Sequence, residues 1–303
     1  TALIGSTPLL EAQRLTNVKN LNAKILLKLE ALNPGGSVKD RVALAMIEDA
    51  EKKGLLTPGG TIIEATSGNT GIGLAWIAKI KGYRLILTMP ETMSIERQHL
   101  LRLHGAEVVL TPGNEGMAGS VRMAQCLQAE IAGAVMLKQF ENNACVTAHE
   151  QTTGVEIWND TDGRVDVVVA GVGTGGTLTG VARALKRLNP QIHIVAVEPK
   201  SSPVLSGGNP GAHAIQGIGA GFLPKIYDAD LVDEVIQITD AEALEGVREL
   251  MTHEGVFAGI SSGAAIKAAM KISQRSNFKN ATIVTILPDT GSRYISVLAE
   301  KEN

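Results

Sequence analysis

Strands and helices alternate along most of this chain, and this alternation restricts the possible folds more than any other feature. Short apolar runs such as 61–65, 165–170 and 282–287 have the length and β-branched composition of buried strands. Longer segments with helical periodicity follow them, as in 177–188. Because parallel strands need crossover connections of this kind, the sequence predicts an α/β fold with mostly parallel central sheets flanked by helices.

The length of 303 residues suits one large α/β domain or two medium ones. The alternation is interrupted around residues 143–150, where we predict a domain boundary. A second interruption covers 200–224, which is rich in Gly, Pro and Ser and is predicted to be irregular. The sequence therefore favours two α/β domains, with an irregular region in the second half.

Charge and composition exclude several classes of function. The net charge of −3 gives no reason to expect binding to nucleic acid or to an anionic membrane. No segment resembles a signal peptide, and no apolar run reaches membrane-spanning length. Cys126 and Cys145 lie in different segments, and no cysteine or histidine pair has metal-ligand spacing. We therefore expect a cytoplasmic protein without a metal site.

A glycine-rich loop at 171–176 follows a predicted strand and precedes a predicted helix. Backbone amides in such a loop, together with the helix N-terminus, favour an anionic ligand. The glycines match Gly-x-Gly-x-x-Gly, and Glu198 ends the next strand, so a dinucleotide site is one interpretation. However, the loop lies in mid-chain, and Thr174 and Thr177 add hydroxyl donors. These donors suit a terminal phosphate monoester.

A second loop, 66–70, also precedes a predicted helix and contains three hydroxyl side chains. One hydroxyl would be enough to cap the helix, so a site for a carboxylate or phosphate is the preferred interpretation. Lys39 follows the turn 33–36 and falls in the first turn of another helix, whose predicted N-cap is Ser37. A cation there opposes the helix dipole, at little cost if the amine is neutral or bound as an imine. A solvated lysine is the ordinary alternative.

The segment 259–263 matches Gly-x-Ser-x-Gly, the nucleophile elbow of hydrolases. That fold requires a histidine after the serine, and none follows Ser261. We therefore expect a serine that hydrogen-bonds a ligand or caps a helix. Asp289 begins an Asp-Thr-Gly that occurs once, so a turn is expected there in place of an aspartic protease site.

Two anion loops, a lysine at a helix start and a serine at a strand-to-helix turn point to one cofactor. Pyridoxal phosphate needs a lysine for its aldehyde, a cradle for its phosphate, and partners for its ring oxygen and ring nitrogen. The sequence therefore predicts a pyridoxal phosphate enzyme.

Seven motifs carry a resemblance to a known family. The chain resembles the cysteine synthase family, O-acetylserine sulfhydrylases of the A type, among the fold-type-II pyridoxal phosphate enzymes. The motifs stand in the family's order along nearly the whole chain, at 4–9, 33–41, 66–71, 89–97, 171–177, 217–222 and 259–263.

The resemblance implies a tryptophan synthase β-like architecture with two domains. It implies a smaller, mobile substrate-binding domain at 33–145. It also implies a larger domain, formed by 1–32 and 146–303, that binds the cofactor phosphate. Most members of the family are homodimers, and their active-site cleft also binds the C-terminus of serine acetyltransferase. A homodimer and that partner are therefore expectations for this chain.

The resemblance also implies roles for individual residues. Lys39 would form a Schiff base with the cofactor, Asn69 would hydrogen-bond its ring oxygen, and Ser261 would meet its pyridine nitrogen. The cofactor phosphate is expected on Gly173, Thr174, Gly175, Gly176 and Thr177. The substrate carboxylate is expected on Thr66, Ser67, Thr70 and Gln139.

The activity implied by the resemblance converts O-acetyl-L-serine and sulfide to L-cysteine and acetate. Within the same fold, a cystathionine β-synthase or a lanthionine- or hydrogen-sulfide-producing relative is the alternative. The segment 200–213 departs most from the family pattern, so the preferred second substrate, the acceptor of the β-replacement, stays open. From another class, a dinucleotide-dependent dehydrogenase would use the 171–176 loop but would leave Lys39 and Asn69 without a function.

Overall fold

The computed structural model describes residues 1–299 of the chain. The chain divides into two compact units. The first unit comprises Thr1–Ile4 and Lys39–Cys145, and the second comprises Gly5–Val38 and the chain from Val146 onward. The last four residues assigned to the larger domain by sequence, 300–303, lie outside the described residues.

Ten strands and eleven α-helices make up the described chain. The strands are β1 Leu9–Glu11, β2 Lys24–Leu29, β3 Thr61–Ala65, β4 Arg84–Pro90, β5 Glu107–Thr111, β6 Val135–Met136, β7 Val167–Gly171, β8 His193–Pro199, β9 Glu234–Ile238 and β10 Thr282–Leu287. The helices are α1 Gln13–Val18, α2 Lys39–Lys52, α3 Asn69–Lys81, α4 Ile95–Leu103, α5 Gly116–Glu130, α6 Ala144–Gln151, α7 Thr153–Asp160, α8 Gly176–Leu188, α9 Asp240–Glu249, α10 Ile260–Ser273 and α11 Ile295–Ala299.

The sheet of the first unit has four parallel strands in the order β5-β4-β3-β6. Helices α2, α3, α4 and α5 connect or precede its strands, as the sequence pattern predicts. Ile63 and Ile86 pack with Ala124 of α5 in one hydrophobic cluster. The loops that carry 66–70 and 137–139 follow the carboxyl ends of the adjacent strands β3 and β6, the usual place for ligands in parallel sheets.

The sheet of the second unit has six strands in the order β1-β2-β10-β7-β8-β9. All neighbouring pairs are parallel except β1 with β2. Val167 and Val169 belong to one hydrophobic cluster, whereas Val168 and Ala170 belong to another. Alternate residues of a strand point to opposite faces, so both faces of this sheet are covered. That double burial explains why the strands read as continuous apolar runs.

The predicted α/β fold with mostly parallel sheets is confirmed, and the region 200–224 contains no helix or strand, as expected. The sequence pattern missed β1, α1, α6, α7 and α11. Helix α2 begins at Lys39, two residues after the predicted N-cap Ser37, which forms a β-bridge with Asp289. Within residues 1–299, no helix is both long enough and apolar enough to cross a membrane.

The main segment of the first unit begins at Lys39, whereas the smaller domain inferred from sequence began at residue 33. The intervening residues are hydrogen-bonded within the second unit. Asn33 donates from Nδ2 to Glu30 Oε2 at 2.8 Å and accepts from the amide of Gly5 at 2.9 Å. The amide of Val38 donates to the carbonyl of Pro288 at 2.8 Å. These bonds explain why residues 33–38 belong to the second unit.

Candidate active site

In the first unit, a close helix contact holds Lys39 beside the start of α3. Lys39 is the first residue of α2, and a Cβ added at Gly73 would lie 3.0 Å from its carbonyl oxygen. Trp76 Nε1 donates to Asp40 Oδ1 at 3.1 Å and joins the same two helices. Asn69 lies four residues before Gly73, on the same face of α3. The packing therefore places Asn69 near the N-terminal end of α2, where Lys39 lies.

The 66–70 loop presents a helix N-terminus without a side-chain cap. The N-cap residue of α3 is Gly68, which has no side chain to accept from the first amides. Its own amide donates to Thr66 Oγ1 at 3.3 Å. Thr66 and Thr70 are buried, and Ser67 is half-buried. An uncapped helix start with hydroxyl groups around it suits an anion.

Gln139 joins this loop through its side chain. Thr70 Oγ1 donates to Gln139 Oε1 at 2.6 Å. Because Oε1 is an acceptor in this bond, the amide nitrogen Nε2 retains the donor groups that a carboxylate ligand needs. Cys145 Sγ donates to the carbonyl of Gln139 at 3.6 Å, and burial raises the pKa of this thiol to about 12. Cys145 is therefore a protonated donor that supports Gln139.

In the second unit, two positions of the loop after β7 can be occupied only by glycine. A Cβ at Gly173 would lie 2.3 Å from the carbonyl oxygen of Gly217. Gly175 has a φ of +87°, and a Cβ there would lie 2.7 Å from Cβ of Tyr227. Gly175 is also the N-cap of α8 and makes no side-chain cap hydrogen bond. The loop thus presents bare backbone at a helix N-terminus, the arrangement that binds phosphate.

The two threonines of this loop have defined hydrogen bonds. Thr174 Oγ1 accepts from the amide of Gly176 at 3.4 Å. Thr177 Oγ1 lies 3.1 Å from Nε2 of His149, whose Nδ1 lies 2.8 Å from Oγ1 of Thr153. His149 is fully buried and orients the Thr177 hydroxyl. The sequence analysis missed His149, because only tertiary packing joins it to the loop.

Ser261 lies beside the same loop system. It occupies the first turn of α10, after the N-cap Gly259, and is only 3% exposed. A Cβ at Gly217 would lie 3.6 Å from Ser261 Oγ, and the carbonyl of Gly217 faces Gly173. In the second unit, Gly217 therefore lies between Gly173 of this loop and Ser261.

Asp289 and Glu198, two acids considered in the sequence analysis, have structural partners. The hydroxyl of Tyr294 donates to Asp289 Oδ2, and a short 3-10 helix, Gly291–Arg293, follows Asp289 and Thr290. Glu198 is buried and accepts from the amide of Leu205 at 2.7 Å and from Ser206 Oγ at 2.5 Å. A ribose-binding acid would need these oxygens for its ligand, so the dinucleotide interpretation loses support. Within residues 1–299, no group of three or more His, Cys, Asp or Glu is placed to hold a metal ion.

Comparison with known proteins defines the class first. A profile of the family described as pyridoxal-phosphate dependent enzyme matches residues 1–289. The chain therefore belongs to the pyridoxal-phosphate dependent enzyme family, and the predicted cofactor is confirmed.

Its relatives narrow the class. A cysteine synthase of Staphylococcus aureus (strain Mu50 / ATCC 700699) is 51% identical over 298 residues, which cover 98% of this chain and 94% of that one. The crystal structure of cysteine synthase from Entamoeba histolytica has a TM-score of 0.96 and 44% identity, covering 100% of this chain and 90% of that chain. A hydrogen sulfide-producing enzyme from Fusobacterium nucleatum has a TM-score of 0.91 and 45% identity, with coverages of 97% and 98%. The resemblance to the cysteine synthases is confirmed.

The residues described above fit the cofactor. In the second unit, the glycines of the 173–177 loop and the hydroxyl groups of its threonines suit a phosphate. The neutral hydroxyl of Ser261 suits a ring nitrogen. The first unit supplies the primary amine of Lys39 at the start of α2 and the amide side chain of Asn69 at the start of α3. Each unit, taken by itself, thus supplies groups of a kind that pyridoxal phosphate needs: an amine and an amide in the first unit, and phosphate and ring-nitrogen partners in the second.

Proposed function

We propose that this chain catalyses the β-replacement of O-acetyl-L-serine by sulfide, which yields L-cysteine and acetate. The observation that carries this proposal is the 51% identity to a cysteine synthase over nearly the whole of both chains. The two sets of donors described above support it, because they match the groups that a pyridoxal phosphate enzyme must bind.

We assign the cofactor roles as the family resemblance implies them. When bound, pyridoxal phosphate withdraws electrons from the α-carbon of an amino acid. Lys39 would hold the cofactor covalently, and its released amine would take the α-proton of the substrate and later return it. Asn69 would donate to the ring oxygen and Ser261 would meet the ring nitrogen. The phosphate would be held by Gly173, Thr174, Gly175, Gly176 and Thr177.

We assign the substrate carboxylate to the first unit. The uncapped start of α3 with the amide of Thr70, the hydroxyl groups of Thr66 and Ser67, and Nε2 of Gln139 would donate to it, while the hydroxyl of Thr70 orients Gln139. On this assignment the first unit corresponds to the smaller, mobile substrate-binding domain and the second to the larger, phosphate-binding domain. Binding the carboxylate at a helix start would fix the α-proton in reach of one amine, Lys39.

The leaving group distinguishes the proposed reaction from its close alternatives. Acetate departs as a stable anion and needs no proton, whereas the hydroxyl of serine needs a general acid. The proposed substrate contacts Thr66, Ser67, Thr70 and Gln139 contain neither a carboxylate nor an imidazole. Lys39 is occupied as the base. These residues therefore suit an activated ester better than a free hydroxyl.

O-acetylserine is expected to react at least about a hundredfold faster than serine, because no residue is assigned to protonate a leaving hydroxyl. Rapid mixing should show acetate release from O-acetylserine, followed by faster product formation with hydrosulfide than with homocysteine. Equal rates with serine, or a preference for homocysteine, would indicate a cystathionine β-synthase instead.

Release of sulfide from L-cysteine is a second candidate function. The observation that favours it is the 45% identity to the hydrogen sulfide-producing enzyme of Fusobacterium nucleatum. A thiolate, like acetate, can leave without a proton from the enzyme. The same purified protein incubated with L-cysteine and assayed for sulfide tests this candidate directly.

Ser261→Asp is expected to slow β-elimination more than Ser261→Ala does. The alanine variant loses one neutral hydrogen bond, worth about 0.5–1.5 kcal/mol. The aspartate would instead stabilise a proton on the ring nitrogen. A protonated ring keeps the negative charge left by removal of the α-proton, whereas elimination requires that charge to leave with acetate. Single-turnover acetate release from the two variants measures the difference. A full elimination rate in Ser261→Asp would contradict the assignment of Ser261 to the ring nitrogen.

We also propose a cytoplasmic homodimer that can bind the C-terminus of serine acetyltransferase, on the strength of the family resemblance. The two free cysteines, Cys126 and Cys145, support a reducing compartment. Light scattering of the purified protein, with and without a synthetic C-terminal peptide of that acetyltransferase, would test the dimer and the complex.

A further inference from the structure

Glu64 ends the backbone pairing between β3 and β6. The parallel ladder pairs Ile62 with Val135 and ends where Ile63 pairs with Met136. Glu64 follows on β3, and its side chain is only 4% exposed. The amide of Leu137, the next residue after β6, donates to Glu64 Oε2 at 3.0 Å. The carboxylate thus continues the pairing where the strand backbone stops.

The carboxylate of Glu64 binds three consecutive amides. Besides Leu137, the amide of Lys138 donates to Oε2 at 3.0 Å and that of Gln139 donates to Oε1 at 3.4 Å. Lys138 has a φ of +55°, an uncommon conformation for a residue with a side chain. Burial raises the pKa of Glu64, while these amides and the charge of Lys138 oppose that rise. The carboxylate stabilises a turn that would otherwise be unfavourable.

This turn determines where Gln139 lies. Its amide is bonded to Glu64, its carbonyl accepts from Cys145 Sγ at 3.6 Å, and its side chain accepts from Thr70 at 2.6 Å. Asn142 Nδ2 also donates to the carbonyl of Leu137 at 2.9 Å. Gln139 is therefore held at its amide, its carbonyl and its side chain, and Glu64 binds the amides of all three residues of the turn.

We propose that Glu64 is a positioning residue for the substrate carboxylate, because it fixes the 137–139 turn and thereby the donor nitrogen of Gln139. Glu64 does not itself contact the substrate. This inference rests on the proposed function, in which Gln139 binds the carboxylate. An acceptor with two oxygens is required, since one oxygen cannot serve all three amides of the turn with the observed geometry.

The experiment uses the holoenzyme of the Glu64→Gln variant. This substitution replaces one carboxylate oxygen by an NH2 group, which cannot accept the hydrogen bond of the backbone amide that it faces. Titration with L-serine and with ethanolamine, followed through the cofactor absorbance, compares an amine with and without a carboxylate. We expect the dissociation constant of L-serine to rise about tenfold, equivalent to the loss of about 1.4 kcal/mol. The dissociation constant of ethanolamine should stay within about twofold, since its binding does not involve Gln139.

Two further variants control for charge and for folding. Glu107→Gln removes an exposed carboxylate of β5 that pairs with Arg84 at 2.7 Å, and it should leave both dissociation constants unchanged. Glu64→Asp retains two oxygens on a shorter side chain and should give an intermediate rise for L-serine, even if Glu64→Gln does not fold. An unchanged L-serine affinity in Glu64→Asp and Glu64→Gln would overturn the proposal. An equal loss for ethanolamine would also overturn it, since it would indicate general damage to the unit.

Gln139→Ala separates failure of this inference from failure of the proposed function. If Gln139→Ala weakens L-serine and Glu64→Gln does not, the positioning role is wrong and the carboxylate assignment stands. If Gln139→Ala leaves the affinity for L-serine unchanged, the carboxylate assignment itself is wrong. The double variant should bind L-serine about as weakly as Gln139→Ala alone, because Glu64 acts through Gln139.

Discussion

Lys39→Ala is expected to reduce turnover by at least about a thousandfold, because one amine serves both as the covalent attachment and as the proton carrier. The fold should persist, since Lys39 is the first residue of α2 and is only half-buried. Borohydride reduction of the unmodified protein, followed by peptide mass mapping, should place the cofactor on Lys39.

Lys53→Ala is a suitable control for this experiment. Lys53 follows α2, is largely exposed, and pairs with Asp49 at 2.7 Å, an interaction that contributes little to stability. Its replacement should leave turnover and labelling unchanged. Cofactor found on any lysine other than Lys39 would contradict the assignment.

Gly175→Ala is expected to lose most of its bound cofactor on dialysis. A side chain at this position incurs about 1–2 kcal/mol for the left-handed backbone and also meets Tyr227 at 2.7 Å. Relief of that overlap would displace the first amides of α8, which we assign to the phosphate. The affinity for pyridoxal phosphate, measured by equilibrium titration of the apoenzyme, should fall at least about tenfold.

Gly207→Ala provides the matched control in the same unit. Gly207 has a similar φ of +81°, but a Cβ there would meet no atom within 4 Å. Its variant incurs the backbone cost without the overlap, so its cofactor affinity should be unchanged. If both variants retain the cofactor equally, the 173–177 loop does not hold the phosphate as proposed.

Local features of the sequence were enough to predict the class of fold. Strands that are covered on both faces must be apolar throughout, so β7 and β10 were recognisable as continuous runs. The glycine-rich loop and the 66–70 loop were also recognisable, since backbone approach to a ligand imposes glycine and small hydroxyl side chains locally. Short or weakly amphipathic elements such as β1 and α6 have no comparable signal and were missed.

The sequence by itself determined the strand and helix alternation, the cofactor class and the residue types available for chemistry. Only the tertiary structure decided that β2 pairs with β10, that His149 orients Thr177, and that Glu64 binds the amides of residues 137–139. These contacts join residues that lie up to about 260 positions apart along the sequence, such as Thr282 and Lys24. Such pairings depend on which surfaces meet when the chain is compact, and no local pattern specifies that choice.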